Sequence, residues 1–375
     1  MSALVSQASK AWSKVRPLTD IRDIVRRIKY HGIRSRYFRE MWATAAKNIG
    51  ATYSDTPFGL AEIARGEFST FVSQSQVMLD SQIMLRVAGE KALTLNLLER
   101  VGAPVPRYCR VSTKDLGPAL ELLRAEGVVV VKPAGGTGGG RGVITGITTP
   151  EALRDAAKRA SMYDNDLVVE EQVEGASYRL LFLDGEFIDA VRRDPPSVIG
   201  DGKRTIKQLI KDANAEREKA APVLALSPLV IDRDCRNWLE ANSLSPQSRP
   251  GVGEVVTIKR AVNQNDRRGN VNVRDLVHRE IIEQCQSIVE RMGVALAGVD
   301  LICSAIDRPF AEAGCRINEV NTTPGLHHHY LISDPANGVP AAEIILNYLF
   351  SNRIGVMHLG GDGDVAEFRP SAQRA

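Results

Sequence analysis

Two carboxylates and an amide oxygen are the strongest candidates for chemistry in this sequence. Asp300 lies in the stretch GVDLIC, and Glu319 and Asn321 are two residues apart in INEVN. Alternate residues of a strand project from one face, so two neighbouring strands would bring these three side chains together. Oxygen ligands with room for water and phosphate oxygens suit Mg²⁺, and the lack of nearby Cys or paired His argues against zinc. The alternative is a solvated strand face.

A glycine-dense loop is the second candidate. It carries six glycines in eight positions from Gly135, directly after Lys132 in KPAGGTGGGRGV. Glycines allow consecutive N–H groups to point into one concavity, and such a row beside a cation is a common way to hold phosphates. The loop matches neither GxxxxGK[ST] nor a GxGxxG turn between strand and helix. It predicts either a phosphate lid or a mobile surface hairpin.

Strand-like and helix-like stretches alternate along the chain and would position these groups, which predicts an α/β or α+β fold. KALTLNLLERVG places Lys91 at a helix start, and residues 128–131 predict a strand before the glycine loop. Asp184 and Gly185 predict a two-residue hairpin turn. GVDLIC, PFAEA and INEV are typical of neighbouring strands. Residues 222–272 are rich in loops and give no clear assignment.

Composition and charge narrow the class of protein. The 375 residues are 43% apolar and 25% charged, with 48 Lys and Arg against 45 Asp and Glu, so neither a disordered chain nor a nucleic-acid or membrane partner is favoured. No apolar run approaches the ~18 residues of a membrane span. Residues 1–39 are rich in basic residues, and a solvated basic helix is favoured there over a transit segment or a polyanion contact. Five cysteines without a CxxC pair favour a reducing cytoplasm.

The order of several strings resembles the ATP-grasp superfamily, over residues 85–350. The similarity is greatest to the ligase region of cyanophycin synthetase and of bifunctional glutathione synthetases. The strings that carry it are EKALTLNLLERVGAPVP, VVVVKPAGGTGGGRGV, LVVEEQVEGASYRLLFLDGEF, PSVIGDGKRTIKQLI, GVDLI and INEVNTTPGLHHHY.

This resemblance implies the ATP-grasp fold, in which two α+β subdomains grip ATP between them beside a small N-terminal domain. The expected division is a supporting domain over 1–88, a central region with the lid and the adenine hinge over 89–190, a C-terminal subdomain with the metal site over 191–350, and a flexible tail over 351–375.

The resemblance also implies roles for individual residues. Those matching nucleotide-binding positions are Lys91, Lys132, Gly138, Gly139, Gly140, Glu170, Glu171 and Val173. Those matching magnesium ligands are Asp300, Glu319 and Asn321. Arg179, Arg193 and His329 match segments that border the substrates, and Arg268, with Lys132, is the expected catalytic pair, Arg268 serving the oxyanion. An ordinary surface arginine is the alternative for Arg268, and a metal tract is the alternative for the run of three histidines that ends at His329.

The activity implied is an ATP-dependent carboxylate–amine ligase that forms an amide through an acyl phosphate and releases ADP and phosphate. Its cofactors would be ATP with Mg²⁺, or Mn²⁺ in its place, and its partners a carboxylate donor and an amine acceptor, amino acids or peptides. A homo-oligomer is compatible with this. Two alternatives stay open: a nucleotide-binding regulatory module without ligation, and acyl transfer to a thiol. The sequence does not identify the two substrates.

Overall fold

The computed structural model describes residues 21–135, 140 and 142–359, with side chains described from residue 28 onward. Gly138, Gly139, most of the expected tail and the first half of the basic segment lie outside these residues. Helices and strands alternate, as predicted. The helices are α1 (Ile21–Asn48), α2 (Gln82–Gly89), α3 (Lys91–Arg100), α4 (Gly117–Glu126), α5 (Pro150–Ala160), α6 (Ile206–Lys219), α7 (Arg233–Ala241), α8 (Arg279–Met292), α9 (His327–Tyr330) and α10 (Ala341–Asn352). The strands are β1 (Thr52–Asp55), β2 (Ala61–Arg65), β3 (Phe68–Val72), β4 (Tyr108–Ser112), β5 (Val129–Pro133), β6 (Ile144–Ile147), β7 (Asp166–Glu171), β8 (Ala176–Leu183), β9 (Glu186–Arg193), β10 (Ser197–Ile199), β11 (Val255–Thr257), β12 (Asn270–Asn272), β13 (Leu296–Cys303), β14 (Arg316–Asn321) and β15 (Met357–His358).

A four-stranded antiparallel sheet carries the glycine loop. Its strand order is β4-β7-β5-β6, and the loop joins the central strand β5 to the edge strand β6. Val129 and Val131 pack with Leu153 and Ala157 of α5 in one apolar cluster. Because this cluster fixes β5, Lys132 near its end has a defined position in the sheet.

A five-stranded antiparallel sheet carries the carboxylates. Its order is β12-β9-β8-β13-β14, and α8 packs against it through Ile281 and Val289. The β8–β9 hairpin turns at Asp184 and Gly185, which have φ of +50° and +79°. A type I′ turn requires positive φ at both central residues, so the predicted hairpin is confirmed.

The segment between β9 and β12, residues 194–269, folds around a small core of its own. Helices α6 and α7 pack on the β10–β11 pair through Ile206, Leu239 and Ile258. Helix α6 begins with a capping box in which Thr205 and Gln208 satisfy each other's backbone N–H groups. The loop-rich appearance of residues 222–272 thus conceals one helix and two short strands.

The N-terminal region joins the C-terminal helix. Helix α1 packs on α10, and β1, β2 and β3 form a sheet that β15 completes by pairing with β3. Trp42 is 1% exposed in the shared core. Two of the expected domain limits meet ordered structure: residue 190 falls inside β9, and residues 357–358 form β15. None of the described helices is both long enough and apolar enough to span a bilayer.

Candidate functional site

A cavity of about 1510 Å³ lies between the five-stranded sheet and the four-stranded β4-β7-β5-β6 sheet. Its walls come from both sheets, from the 194–269 segment and from α1. A typical small-molecule site occupies roughly 300–1,000 Å³. The cavity therefore has room for more than one substrate.

Lys132 marks one end of the cavity. It projects from β5 with its side chain 11% exposed, and its Nζ donates to the Glu170 carboxylate and, over 2.9 Å, to Oδ1 of Asn318. Glu170 lies on the adjacent strand β7, directly opposite Val130. A buried ammonium needs such partners because an unpaired charge in a low dielectric is costly. The pairing joins the two sheets, since Asn318 belongs to β14.

Lys91 reaches the same end from another element. Its backbone N–H donates to the carbonyl of Ala134 over 2.8 Å, which fixes the start of α3 beside the end of β5. Its Nζ lies 3.7 Å from Oε1 of Glu319. The structure therefore brings together the two lysines that the motifs singled out, each beside a carboxylate. We refer to Lys91, Lys132, Glu170 and Glu319 as the lysine end.

The described part of the glycine loop is fastened at both sides. The N–H of Gly135 donates to Asp164 over 2.9 Å, and the carbonyl of Gly140 accepts from Nδ2 of Asn263 over 3.2 Å. Gly140 lines the cavity. Asn263 belongs to the 194–269 segment. The glycine loop is therefore held in part by a segment that lies outside the β4-β7-β5-β6 sheet.

The predicted adenine hinge, residues 170–173, lines the cavity but has local partners of its own. Glu170 is committed to Lys132, while the Glu171 carboxylate accepts from the backbone N–H of Arg107 over 3.1 Å. The carbonyl of Val173 accepts from Nη2 of Arg260 over 3.2 Å. Adenine recognition by Glu171 and Val173 stays a prediction.

The predicted metal ligands meet across one pair of strands. Asp300 of β13 lies directly opposite Glu319 of β14, and Gly298 lies opposite Asn321. All three side chains line the cavity. The juxtaposition expected from the two-residue spacing is therefore present.

Asp300 is held by two arginines. Arg179 of β8 binds both of its oxygens, with Nη2 2.8 Å from Oδ2, and Nη2 of Arg193 of β9 lies 3.1 Å from Oδ1. Arg179 passes over Gly298, where an added Cβ would lie 2.6 Å from Cβ of Pro324 and 3.1 Å from Cδ of Arg179, so a glycine is needed there. Burial opposes ionisation of Asp300, yet the two guanidinium charges hold the pKa of its carboxyl below the usual range.

Arg193 gives this group an excess of positive charge. Arg179 and Arg193 are two cations that pair directly with the one carboxylate of Asp300, while the Glu319 carboxylate attracts both without an ion pair to either, and the Arg193 side chain is 8% exposed. Nη2 of Arg193 also donates to Ser177 over 2.9 Å, but its buried Nε has no hydrogen-bond partner among the described residues. An unmatched cation and an unsatisfied donor in the wall of a cavity favour an anionic ligand. We refer to Arg179, Arg193 and Asp300 as the arginine end.

The donor set around Asp300 fits a hard cation. A carboxylate has about four lone-pair sites, and the arginines occupy three of those of Asp300. Glu319 and Asn321 add carboxylate and amide oxygens from paired positions. Within the described ranges no three Asp, Glu, His or Cys side chains converge on a metal position, so an ion here would need water or phosphate oxygens as further ligands.

His329, predicted to border the substrates, lies behind the cavity wall. It is completely buried, and its Nδ1 is 2.7 Å from Oδ2 of Asp189, which is also completely buried. Nδ2 of Asn272 donates to the other oxygen of Asp189 over 2.9 Å. His327 and His328, not His329, line the cavity. The helical turn of α9 explains the difference, because it directs successive side chains to different sides.

Arg268, the predicted oxyanion residue, does not reach the cavity. Its guanidinium pairs with Asp266 over 2.6 Å and with Glu216 over 3.3 Å, and its side chain is 55% exposed. The cavity is lined instead by the neighbouring Arg267. The structure thus favours the alternative that Arg268 is an ordinary surface arginine. Arg193, which does line the cavity, is the better candidate to stabilise an oxyanion.

The sequence did not single out several residues of the site. Asn318 sits at a bulge in β14, between the residues opposite Asp300 and Leu301, and the bulge turns it towards Lys132. Asn263 and the α1 residues Arg34 and Phe38 were not predicted from the sequence. The position of Asn318, directly before Glu319 and three residues before Asn321, could have indicated it. No neighbouring sequence feature indicated Arg34 or Phe38.

Comparison with known proteins gives two kinds of match, although no protein-family model matches the chain. Over 285 residues it is 29% identical to the cyanophycin synthetase of Trichormus variabilis, covering 74% of this chain and 31% of that protein. Over 292 residues it is 24% identical to the glutathione biosynthesis bifunctional protein of Clostridium perfringens, covering 77% and 37%. The chain thus spans about a third of the length of these curated relatives.

A crystal structure of a bifunctional glutathione synthetase from Pasteurella multocida superposes on 81% of this chain and 42% of its own, with a TM-score of 0.51 and 20% identity. The chain therefore has the fold of that enzyme region. The predicted mixed α/β fold and the resemblance to ATP-grasp ligases are both confirmed.

Proposed function

We propose that this chain, which resembles the ATP-grasp ligases, is an ADP-forming carboxylate–amine ligase that forms an amide bond. The observation that carries the proposal is the continuity of the lysine end and the arginine end in one cavity. The first offers two ammonium groups for a triphosphate, and the second offers buried, unmatched positive charge for an anion formed from it.

ATP would occupy the lysine end and the hinge. Phosphate oxygens would compete with Glu170 and Glu319 for the two ammonium groups, so the existing pairs keep Lys132 and Lys91 oriented until the nucleotide binds. Glu171 and Val173 are the proposed adenine contacts, and the loop that includes Gly140 would cover the phosphates. Gly138 and Gly139 would belong to this cover but lie outside the described residues.

Glu319, Asn321 and the remaining lone pair of Asp300 would hold Mg²⁺, and Mn²⁺ suits the same oxygen donors. When bound, the ion would neutralise phosphate charge. The protein side chains contribute alignment and electrostatic stabilisation, and none of them needs to act as a nucleophile.

The reaction proceeds in two steps. A substrate carboxylate oxygen attacks the γ-phosphorus, the bond to the β-phosphate bridging oxygen breaks, and ADP leaves. An amine then attacks the carbonyl carbon of the acyl phosphate, the carbon–oxygen bond breaks to release phosphate, and the nitrogen gives up one proton to that phosphate or to water. Arg193 is suited to the charge that develops in both steps because its Nε is buried and has no hydrogen-bond partner in the described structure.

The test is a screen for release of ADP and phosphate with pairs of amino acids and short peptides, followed by mass spectrometry of the product. Glu319→Gln should reduce amide formation at least a hundredfold, whereas Glu312→Gln, an exposed residue close to β14, should not change it. Unchanged turnover in Glu319→Gln would reject the proposed metal site. Nucleotide binding without phosphate release for any pair would favour the regulatory module, and a thioester product would favour a thiol acceptor.

A further inference from the structure

Arg267 is a cation of the cavity wall that the proposed phosphate chemistry does not use. It lines the cavity and is partly buried, and its guanidinium has neither an ion pair nor a hydrogen bond among the described residues. Arg260, another cavity-lining arginine of the 194–269 segment, differs in this respect because it pairs with Glu174 over 2.8 Å. A cation without a counter-charge in the wall of a cavity favours an anionic ligand.

A short 3₁₀ turn directs Arg267 into the cavity. Residues Arg267–Gly269 form the turn, and the Asp266 carboxylate accepts from the N–H of Arg268 over 3.0 Å at its start. Side chains of successive residues in a 3₁₀ helix point roughly 120° apart, because the helix has three residues per turn. Arg268 therefore extends to solvent, where its side chain is 55% exposed, while the adjacent Arg267 lines the cavity.

The two carboxylates that flank this turn are committed to other arginines. Asp266 pairs with Arg217 over 3.1 Å and with Arg268 over 2.6 Å. Asp194, whose N–H donates to the carbonyl of the last residue of the turn over 2.6 Å, accepts from Arg192 over 2.9 and 3.2 Å. Neither carboxylate forms an ion pair with Arg267, so an anionic ligand would not have to displace one.

The backbone around Arg267 is fixed by buried contacts. Its N–H donates to the Leu224 carbonyl over 2.9 Å. Arg217, which is 2% exposed, joins the same two stretches of chain, because its Nη1 donates to the carbonyls of Ser227 and Gln264 over 3.2 and 2.8 Å. Residues 224–228 and 264–267 both line the cavity. This part of the wall is therefore ordered before a ligand binds.

Arg267 lies within reach of a substrate whose carboxylate is at the arginine end. Asn270, three residues after Arg267, is paired directly with Arg193 in the β12–β9 ladder. Three residues span at most about 11 Å, so one small molecule can extend from Arg193 to Arg267 within the cavity.

We propose that Arg267 binds a second carboxylate of the carboxylate substrate, which is then a dicarboxylic acid: an acidic amino acid or a peptide that ends in one. This inference rests on the proposed function, in which the other carboxylate is activated at the arginine end. A guanidinium binds a carboxylate through two parallel hydrogen bonds that an uncharged amide does not reproduce. Arg267 is thus a specificity-determining residue, because its ligand keeps both carboxylate oxygens through the reaction.

Binding is measured by isothermal titration calorimetry of the full chain with Mg²⁺ and the non-hydrolysable β,γ-imido analogue of ATP present. The ligands are L-aspartate, L-glutamate, alanyl-aspartate and alanyl-glutamate, each with its two monoamides. At least one acid should bind, and the monoamide that lacks the carboxylate bound by Arg267 should bind at least tenfold more weakly. Arg267→Gln should weaken the acid by about tenfold to a hundredfold and leave that monoamide unchanged.

Two further variants sharpen the measurement. Arg267→Lys should restore part of the preference for the acid, because the charge is kept but the paired hydrogen bonds are not. Arg236→Gln, which changes an exposed cation of the same segment outside the cavity wall, should alter neither affinity. Circular dichroism of each variant verifies that it is folded.

Turnover without an amine substrate assigns the contact to the carboxylate substrate. With ATP and hydroxylamine, the hydroxylamine nitrogen attacks the acyl carbon, phosphate leaves, and a hydroxamate forms. Arg267→Gln should raise the KM for the acid by about tenfold to a hundredfold and change kcat less than about threefold, because the contact is remote from the reacting atoms.

The proposal is overturned if none of the four acids binds, if Arg267→Gln weakens the acid and both of its monoamides alike, or if Arg267→Gln and Arg236→Gln behave alike. A fall in kcat with KM unchanged would also overturn it, because Arg267 would then act on the phosphate or the oxyanion. Failure of the proposed function gives a different result: the acid would bind with the stated preference, but ATP would yield neither ADP nor hydroxamate.

Discussion

The two ends of the cavity differ in how their charges are balanced. At the lysine end two ammonium groups face two carboxylates, whereas at the arginine end two guanidinium groups share the single carboxylate of Asp300. Glu319 is 27% exposed, but Asp300 and Arg193 are 10% and 8% exposed. The partly solvated Lys91–Glu319 pair can exchange partners when phosphate arrives. The Lys132–Glu170 pair, 11% and 3% exposed, is as buried as the arginine end, so at the lysine end it is Lys91 that can rearrange, whereas the surplus positive charge of the arginine end is fixed in place before any ligand binds.

This difference indicates that the two ends of the cavity have different roles. The lysine end would be a site whose ion pairs rearrange around the nucleotide, and the arginine end a preorganised site for the anion that forms during the reaction. Substitutions at the lysine end should therefore mainly affect nucleotide binding, whereas those at the arginine end should mainly affect turnover and stability.

The largest expected effect is that of Asp300→Asn, because it leaves two buried guanidinium groups without a counter-charge. Breaking a buried ion pair on one side costs about 3–5 kcal/mol, and we expect a loss of that size in the free energy of unfolding measured with urea. Asp155→Asn removes surface pairs with Arg159 and Arg233, in which all three side chains are more than a third exposed, and it should cost less than about 1 kcal/mol. Equal losses in the two variants would show that the buried ion pairs of Asp300 stabilise the protein no more than the exposed ion pairs of Asp155.

Arg193→Gln should act on turnover more than on nucleotide binding. Removing one preorganised donor from an oxyanion site typically reduces kcat by about 10²–10³, so we expect that loss with the KM for ATP changed less than threefold. The control is Arg192→Gln on the same strand, whose side chain is 39% exposed and paired with Asp194. Arg268→Gln should change kcat as little as Arg192→Gln does. A large loss of kcat in Arg268→Gln would instead support the prediction, made from the sequence, that Arg268 serves the oxyanion.

Residues of both ends were named from the sequence, but only some of them followed from local patterns. Lys132, the glycine loop and the pairing of Asp300 with Glu319 follow from strand patterns and two-residue spacing, which are local properties. The placement of Arg193 depends on the order β12-β9-β8-β13, in which strands distant in sequence become neighbours. Arg268 was expected from the resemblance alone, but Asp266, two residues before it, pairs with its side chain.

The secondary-structure predictions were limited in the same way, because they too depended on local sequence patterns. The predicted strand PFAEA was wrong, because residues 309–313 form a turn in which the N–H of Ala313 donates to the carbonyl of Pro309. No strand was predicted within residues 1–88, yet β1, β2 and β3 form a sheet there. Its strands are four or five residues long and partly exposed, so they lack the apolar alternation that would have indicated them.

Lowering the pH should weaken the arginine end by protonating Asp300. The pKa of this carboxyl is lower in the folded protein than in the unfolded chain, where it is near 3.9, so its stabilising contribution is complete above that value and is lost as pH falls through the folded pKa. The difference in unfolding free energy between the native protein and Asp300→Asn should therefore stay constant from pH 7 to 5 and shrink below about pH 4. A difference that grows on acidification would contradict the assigned direction.

The smallest expected effect concerns the contact between the 194–269 segment and the glycine loop. Asn263→Ala removes one hydrogen bond to the Gly140 carbonyl, and such a bond contributes about 0.5–1.5 kcal/mol. Because the Gly140 carbonyl belongs to the loop proposed to cover the phosphates, we expect the KM for ATP to rise about two- to tenfold while kcat changes little. Asn242→Ala, which removes an exposed amide bonded to the Trp238 carbonyl, is the matched control. A fall in kcat with KM unchanged would instead assign Asn263 to the chemistry of the arginine end, and the two ends would then no longer be separable.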